Sequence, residues 1–220
     1  MSRIAETMDE VRPRLASIDV GALKRAQVQA QPFPYVIVPG FVKGAALAAI
    51  GADFPAIAHH GSFPLSTLRY GSAFAALAEE LQGKEMREAV AEKLGLDLSA
   101  RPTTITVRGM SRAADGKIHT DSKSKLVTAL IYMNDAWESP KGRLRLVRSA
   151  DNLNDVIAEV PPDAGTLLLF KNQDNAWHGF EPYSGPRRVV QLNWVTSVSV
   201  VRREETRHRI SAFFKRLRGA

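Results

Sequence analysis

The chain has 220 residues, 45% of them hydrophobic and 24% charged, and no cysteine. That composition suits one globular domain with a sizeable core, and it excludes disulfides, zinc thiolates, iron–sulfur clusters and cysteine nucleophiles. The net charge of +7 points to nucleic acid only until it is placed: residues 202–218 hold seven Lys/Arg against two acids, leaving about +2 on the rest of the chain. No nucleic-acid partner is therefore expected.

At the N-terminus Ile4, Met8, Val11 and Leu15 recur at helical spacing, interrupted by Pro13. The start carries acidic residues and no apolar h-region, and no run of 18 apolar residues occurs anywhere, so a cytoplasmic location is expected. Next, "QPFPYVIVPGF" is a short apolar run bounded by prolines, which suits an edge strand. "KGAALAAIGADF" and "SAFAALAEELQGKEMREAVAEKLG" read as helices, with Ser72 as candidate N-cap and Gly95 as stop.

After Gly95 the texture changes. "RPTTITVRGM", "SKLVTALIYMN", "GRLRLVRS", "VIAEVPP", "GTLLLFKN" and "RRVVQLNWVTSVSVV" are β-prone segments separated by Gly, Pro, Asp and Asn. The pattern predicts a mainly β protein with helices (α+β): a jelly-roll, or double-stranded β-helix, packed against N-terminal helices. One domain over 1–200 is expected, helix-rich over 1–100 and with its core strands at about 100–200, followed by a basic amphipathic helix over 201–220. In that tail Ile210, Phe213, Phe214 and Leu217 form one apolar stripe. Such a stripe docks on its own domain or makes peripheral contact with an anionic membrane surface, docking being the commoner fate.

Five histidines are available. His59 and His60 fall in a loop and His208 in the tail. His119 and Asp121 stand two apart, so in a strand they share a face. His178 follows one strand, precedes another, and can fold back toward them. Two histidines and one carboxylate on one face of an octahedron are the ligand set of non-haem Fe(II) oxygenases, although an isolated His-x-Asp is more often a solvated turn. "RRVVQLNWV" then opens an apolar strand with Arg187 and Arg188. Unless both sit at an exposed strand start, one guanidinium points inward, where it wants a carboxylate. A bound dicarboxylate would supply it.

Taken in order, "HTD", "LIYMN", "GRLRL", "PPDAGTLLLF" and "WHGFEPYSGPRRVVQLNW" resemble the Fe(II)/2-oxoglutarate-dependent dioxygenase superfamily, in its prolyl-hydroxylase-like branch. The resemblance implies Fe(II) held by His119, Asp121 and His178, with 2-oxoglutarate as cosubstrate and O₂ as oxidant. It implies that Arg188 binds the far carboxylate of 2-oxoglutarate, chosen for its even spacing to Trp194, with Arg187 as the alternative one residue earlier. Tyr132 would share that carboxylate, with Thr128 on the same strand face. The implied reaction is hydroxylation of a C–H bond with release of succinate and CO₂, since halogenating relatives lack the carboxylate ligand that Asp121 supplies. Arg108, Arg112 and Trp194 are candidate substrate contacts. The hairpin "GRLRL" departs from the usual pattern, and no prolyl-recognition element is legible, so the substrate stays open among small molecules, glycans, lipids and peptidyl residues. Competing readings are a cupin-like metal enzyme that does not use 2-oxoglutarate and a non-catalytic β-sandwich binding protein.

Overall fold

The computed structural model describes residues 16–204 and 206. The stripe of Ile4 to Leu15 and most of the basic tail lie outside that range.

Four helices occupy the first half: α1 (Val20–Arg25), α2 (Gly44–Ala52), α3 (Ser72–Gln82) and α4 (Lys84–Leu94), with strands β1 (Tyr35–Val38) and β2 (Phe63–Pro64) among them. Gly71, rather than Ser72, is the N-cap of α3, and it offers no side chain to the first turn. The missing acceptor comes from a distance: Asp53 Oδ2 accepts from Ala73 N at 2.7 Å. A Cβ on Gly71 would meet that carboxylate at 2.2 Å, so the borrowed cap requires glycine there. Gly95 ends α4 in the left-handed region at φ 61°, as its position predicts.

The strands follow as β3 (Thr103–Ser111), β4 (Lys125–Tyr132), β5 (Leu144–Val147), β6 (Val156–Val160), β7 (Leu167–Lys171), β8 (His178–Gly179) and β9 (Gly185–Val195). They form two antiparallel sheets, a major one in the order β1-β7-β4-β9-β3-β2 and a minor one in the order β6-β5-β8. The proline-flanked β1 does sit at an edge, where a missing N–H costs no ladder bond. The β-prone reading of "TSVSVV" is corrected. The strand ends at Val195 and residues 198–204 are helical, with Val200 N and Val201 N both donating to Ser197 O. Here position in the fold overrides the β-branched preference.

Side-chain alternation sorts the major sheet into two faces. Val107, Val127, Ala129, Ile131, Val190, Leu192 and Trp194 share one buried cluster with Phe74, Leu77, Leu81, Met86 and Val90 of the helices. The intervening residues Tyr132, Leu168, Phe170 and Val189 share the other with Leu144, Leu146 and Val160 of the minor sheet. Each large side chain buried this way contributes about 1.5–3 kcal/mol. The register that decides which residues look which way is pinned near β9's start. Asn134 accepts from Arg188 N through Oδ1 and donates through Nδ2 to Pro162 O at 2.7 Å and Arg188 O at 3.1 Å.

Candidate metal centre

The site forms where the minor sheet ends. His119 and His178 face each other as an antiparallel bridge, each N–H donating to the other's carbonyl at 3.0 Å. Close approach of the backbones on this side depends on glycine: a Cβ on Gly179 would meet Gly116 O at 2.8 Å, and one on Gly116 would meet Phe180 O at 2.1 Å. The chain then runs two residues on to Asp121, so that ligand atoms of His119, Asp121 and His178 all lie within 4.8 Å of one another.

Both imidazoles are oriented by the same device. His119 Nδ1 lies 2.9 Å from Lys117 O and His178 Nδ1 3.0 Å from Ala176 O. A carbonyl can only accept, so each Nδ1 carries a proton and Nε2 is the ring nitrogen left to face a metal. Burial, followed by the nearby His119, pulls the His178 pKa down to about 4, so this imidazole is neutral at pH 7. Burial alone would raise the Asp121 pKa. The Lys125 ammonium at 2.8 Å, the His178 ring and the Thr128 hydroxyl at 2.5 Å more than offset it, and the carboxylate is held ionised below its ordinary range. Two imidazole nitrogens and an ionised oxygen converge on one point, a donor set suited to Fe(II).

Behind the triad lies a cavity of about 220 Å³ lined by Leu130, Leu144, Phe180, Val189, Arg108 and Arg187 among others. Arg187 is only 4% exposed. Its Nε donates to Gly142 O at 2.9 Å, and its guanidinium carbon sits 4.3 Å from the Phe180 ring centroid and 5.5 Å from that of Tyr132. Arg187 Nη2 and Tyr132 Oη are both buried without a hydrogen-bond partner. Burial pushes the Tyr132 phenol up and the Arg187 guanidinium down, each partly offset by the other. Orphaned buried donors are costly, and two of them, one cationic, beside the His-Asp-His triad suit the far carboxylate of a small dicarboxylate.

The assignment of Arg188 is corrected by the same alternation that suggested it. Arg188 and Trp194 do share a strand face, but it is the face turned away from the triad. Trp194 is fully buried in the cluster with the helices, which also removes it as a substrate contact, and Arg188 stacks over Phe54 at 5.4 Å. Arg187, Val189 and Gln191 face the triad instead. Arg112 does not line the cavity; its exposed side chain is bonded to Asp115. Arg108 lines the cavity but is committed to Asp115 at 2.6 Å and Ser62 at 3.3 Å. Thr128 reaches Asp121 rather than the arginine.

Sequence reasoning passed over Lys125, Thr106, Gln191 and Asn193. The signal was present: in "TITV" (104–107) and "VVQLNW" (189–194) polar residues alternate with apolar ones, and every polar position falls on the face toward the triad. Thr128 Oγ1 and Gln191 Nε2 both lie 3.1 Å from Asn193 Oδ1, and Asn193 Nδ2 lies 3.3 Å from Thr104 Oγ1.

The family model of the 2OG-Fe(II) oxygenase superfamily matches residues 107–196, the span that holds the triad, Tyr132 and Arg187. Residues 107–196 are a 2OG-Fe(II) oxygenase domain. No curated protein matches the chain. Among solved structures, a Pseudomonas putida prolyl-4-hydroxylase is similar with TM-score 0.56 and 18% identity, over 81% of this chain and 98% of that one. The viral collagen prolyl hydroxylase of Paramecium bursaria Chlorella virus-1, solved as a 2-oxoglutarate complex, gives TM-score 0.51 and 14% identity over 74% and 96%. HygX from Streptomyces hygroscopicus, solved with nickel and 2-oxoglutarate bound, gives 0.52 and 14% over 74% and 82%. These likenesses, over 74–81% of the chain, are likenesses of fold.

Proposed function

We propose that the chain is an Fe(II)- and 2-oxoglutarate-dependent hydroxylase of a C–H bond, with a single catalytic unit over residues 1–200 built on a double-stranded β-helix packed against the N-terminal helices. The observation that carries the reading is the pairing of a His-Asp-His triad with a buried, partly unpartnered Arg187–Tyr132 pair in one cavity. A cupin-like metal enzyme or a binding module has no use for that second pair.

In this reading His119, Asp121 and His178 hold the iron, and Arg187 and Tyr132 fix the far carboxylate of 2-oxoglutarate. When bound, the iron and 2-oxoglutarate activate O₂ for C–H hydroxylation, with succinate and CO₂ as by-products. The chain's own residues bind and orient. Ala176 O and Lys117 O keep both imidazoles in the metal-binding tautomer. Thr128 fixes one Asp121 oxygen. Leu130, Leu144, Phe180 and Val189 keep water from the cosubstrate and so strengthen the Arg187 contact. The prolyl hydroxylases among the similar structures make a prolyl residue one substrate to test, and a cytoplasmic location remains part of the proposal. No finding supports membrane contact by the tail.

Anaerobic addition of Fe(II) and then 2-oxoglutarate to the full chain should produce the visible metal-to-ligand charge-transfer band of a chelated complex. His178→Ala should abolish it. A wild-type protein that stays colourless sinks the proposal.

A further inference from the structure

A second space opens from the same triad. It measures about 520 Å³ and is bounded by His119, Asp121 and Lys125 on one side and Arg203 and Glu204 on the other. Among the described residues no hydrophobic side chain lines it. Ser62, Thr106, Ser122, Ser124, Gln191 and Asn193 make up most of the remaining wall. Ligand sites are ordinarily mostly apolar, with a few polar groups for orientation. Here every side chain that lines the chamber is polar or charged, so hydrocarbon finds no apolar side chain to pack against. Affinity has to come from hydrogen bonds and charge.

The charges give the wall a sense. Lys125 Nζ bonds Asp121 Oδ1 at 2.8 Å, with its side chain 16% exposed and that of Asp121 8%. A cation held by the triad would draw on the same carboxylate charge and leave this ammonium as a donor for a second anion. Arg203 adds an exposed guanidinium at the rim. Glu204, whose Oε2 lies 3.5 Å from Thr104 Oγ1, adds an acceptor for hydroxyl or amine protons.

Resting on the oxygenase reading above, we infer that the chamber binds a polar, hydroxyl- or amine-bearing substrate through an anionic group, carboxylate or phosphate, received by Lys125 and Arg203. The wall does not favour a lipid chain or an apolar ring. Lys125 is then a specificity residue: it sets which end of the substrate lies beside the triad, and so which C–H bond is presented.

The test uses the full chain as its anaerobic Fe(II)–2-oxoglutarate complex, titrated in a calorimeter with matched panels. These are sugar acids, sugar phosphates, the parent neutral sugars and straight-chain alcohols. Members of an anionic polar panel should bind at least about 10-fold more tightly than their neutral parents, the scale of one hydrogen bond to a charge. Preference between the first two panels identifies carboxylate or phosphate. Lys125→Met should remove that advantage, and Arg203→Gln should reduce it. Should Lys125→Met lose the charge-transfer band, Arg203→Gln alone decides. Equal binding of neutral sugars, preferential binding of alcohols, no binding by any anionic panel, or an advantage undiminished in the deciding variant overturns the inference. Absence of the band in the wild type counts against the oxygenase reading instead.

Discussion

The two spaces that meet at His119, Asp121 and Lys125 differ in the side chains that complete them. The inner cavity of about 220 Å³ surrounds one buried arginine with Leu130, Leu144, Phe180 and Val189. The outer chamber of about 520 Å³ has no such residue among those described. A guanidinium withdrawn from solvent, as Arg187 is, makes a single charge contact strong, which suits a cosubstrate that is the same in every turnover. A hydrated wall gives many weak directional bonds, whose sum discriminates between similar polar molecules. Strength and selectivity are thus assigned to adjacent rooms, with the triad as the shared partition.

The sharpest way to break this contrast is at Arg187. Arg187→Ala should weaken 2-oxoglutarate binding by about 2–5 kcal/mol, roughly 30-fold or more, because Tyr132 and the cosubstrate carboxylate would be left buried without their cation. Arg188→Ala, on the far face, should leave that affinity unchanged. Anaerobic titration of the charge-transfer band reads both, and a larger effect from Arg188→Ala would reverse the assignment of faces.

Next in size is an effect of pH on the metal-free protein. His178 has a folded pKa of about 4 against 6.5 unperturbed, so the unfolded chain binds the proton more readily. The stabilisation is fully present above pH 6.5 and is lost as pH falls toward 4, by about 3 kcal/mol at most from this residue. Urea midpoints at pH 7 and pH 5 should therefore fall with pH, and His178→Gln should flatten that part of the dependence. An unchanged slope would mean that His178 is not dehydrated as described.

The smallest expected effect is at Tyr132. Tyr132→Phe should weaken 2-oxoglutarate by about 1 kcal/mol, a factor of about 5, while leaving the cosubstrate-free protein as stable as before or slightly more so. It removes a buried hydroxyl that has no partner there. A clear loss of stability without cosubstrate would show that the hydroxyl serves the fold.

Much of this architecture is legible in the amino-acid sequence. The change of texture after Gly95 separates helices from strands because periodicity reports burial directly. His119, Asp121 and His178 could be gathered because two residues apart in extended chain means one face. Parity also tied Arg188 to Trp194 correctly. What parity does not carry is an absolute sign: a strand pattern says which residues look the same way, not which way that is. Both faces of β9 are buried, one against helices and one against the minor sheet, so apolar content did not break the tie. The outer chamber escaped notice for a related reason. Its walls come from β3, β9, the loop after Thr120 and the segment after Val200, and only the fold brings them together.

Arg187 and Arg188 are the same molecule twice over, attached to neighbouring Cα atoms. Nothing in their own chemistry tells one to enter the cavity behind the triad and the other to lie against a phenylalanine. The distinction is conferred by the amide of Asn134, which grips the main chain at Arg188 from both its N–H and its carbonyl. A slip of one residue along β9 would exchange the pair without altering composition, charge or hydrophobicity, and would carry Val190 and Leu192 into the site. Asn134 is in that sense an index pin: it decides which of two identical side chains faces the triad.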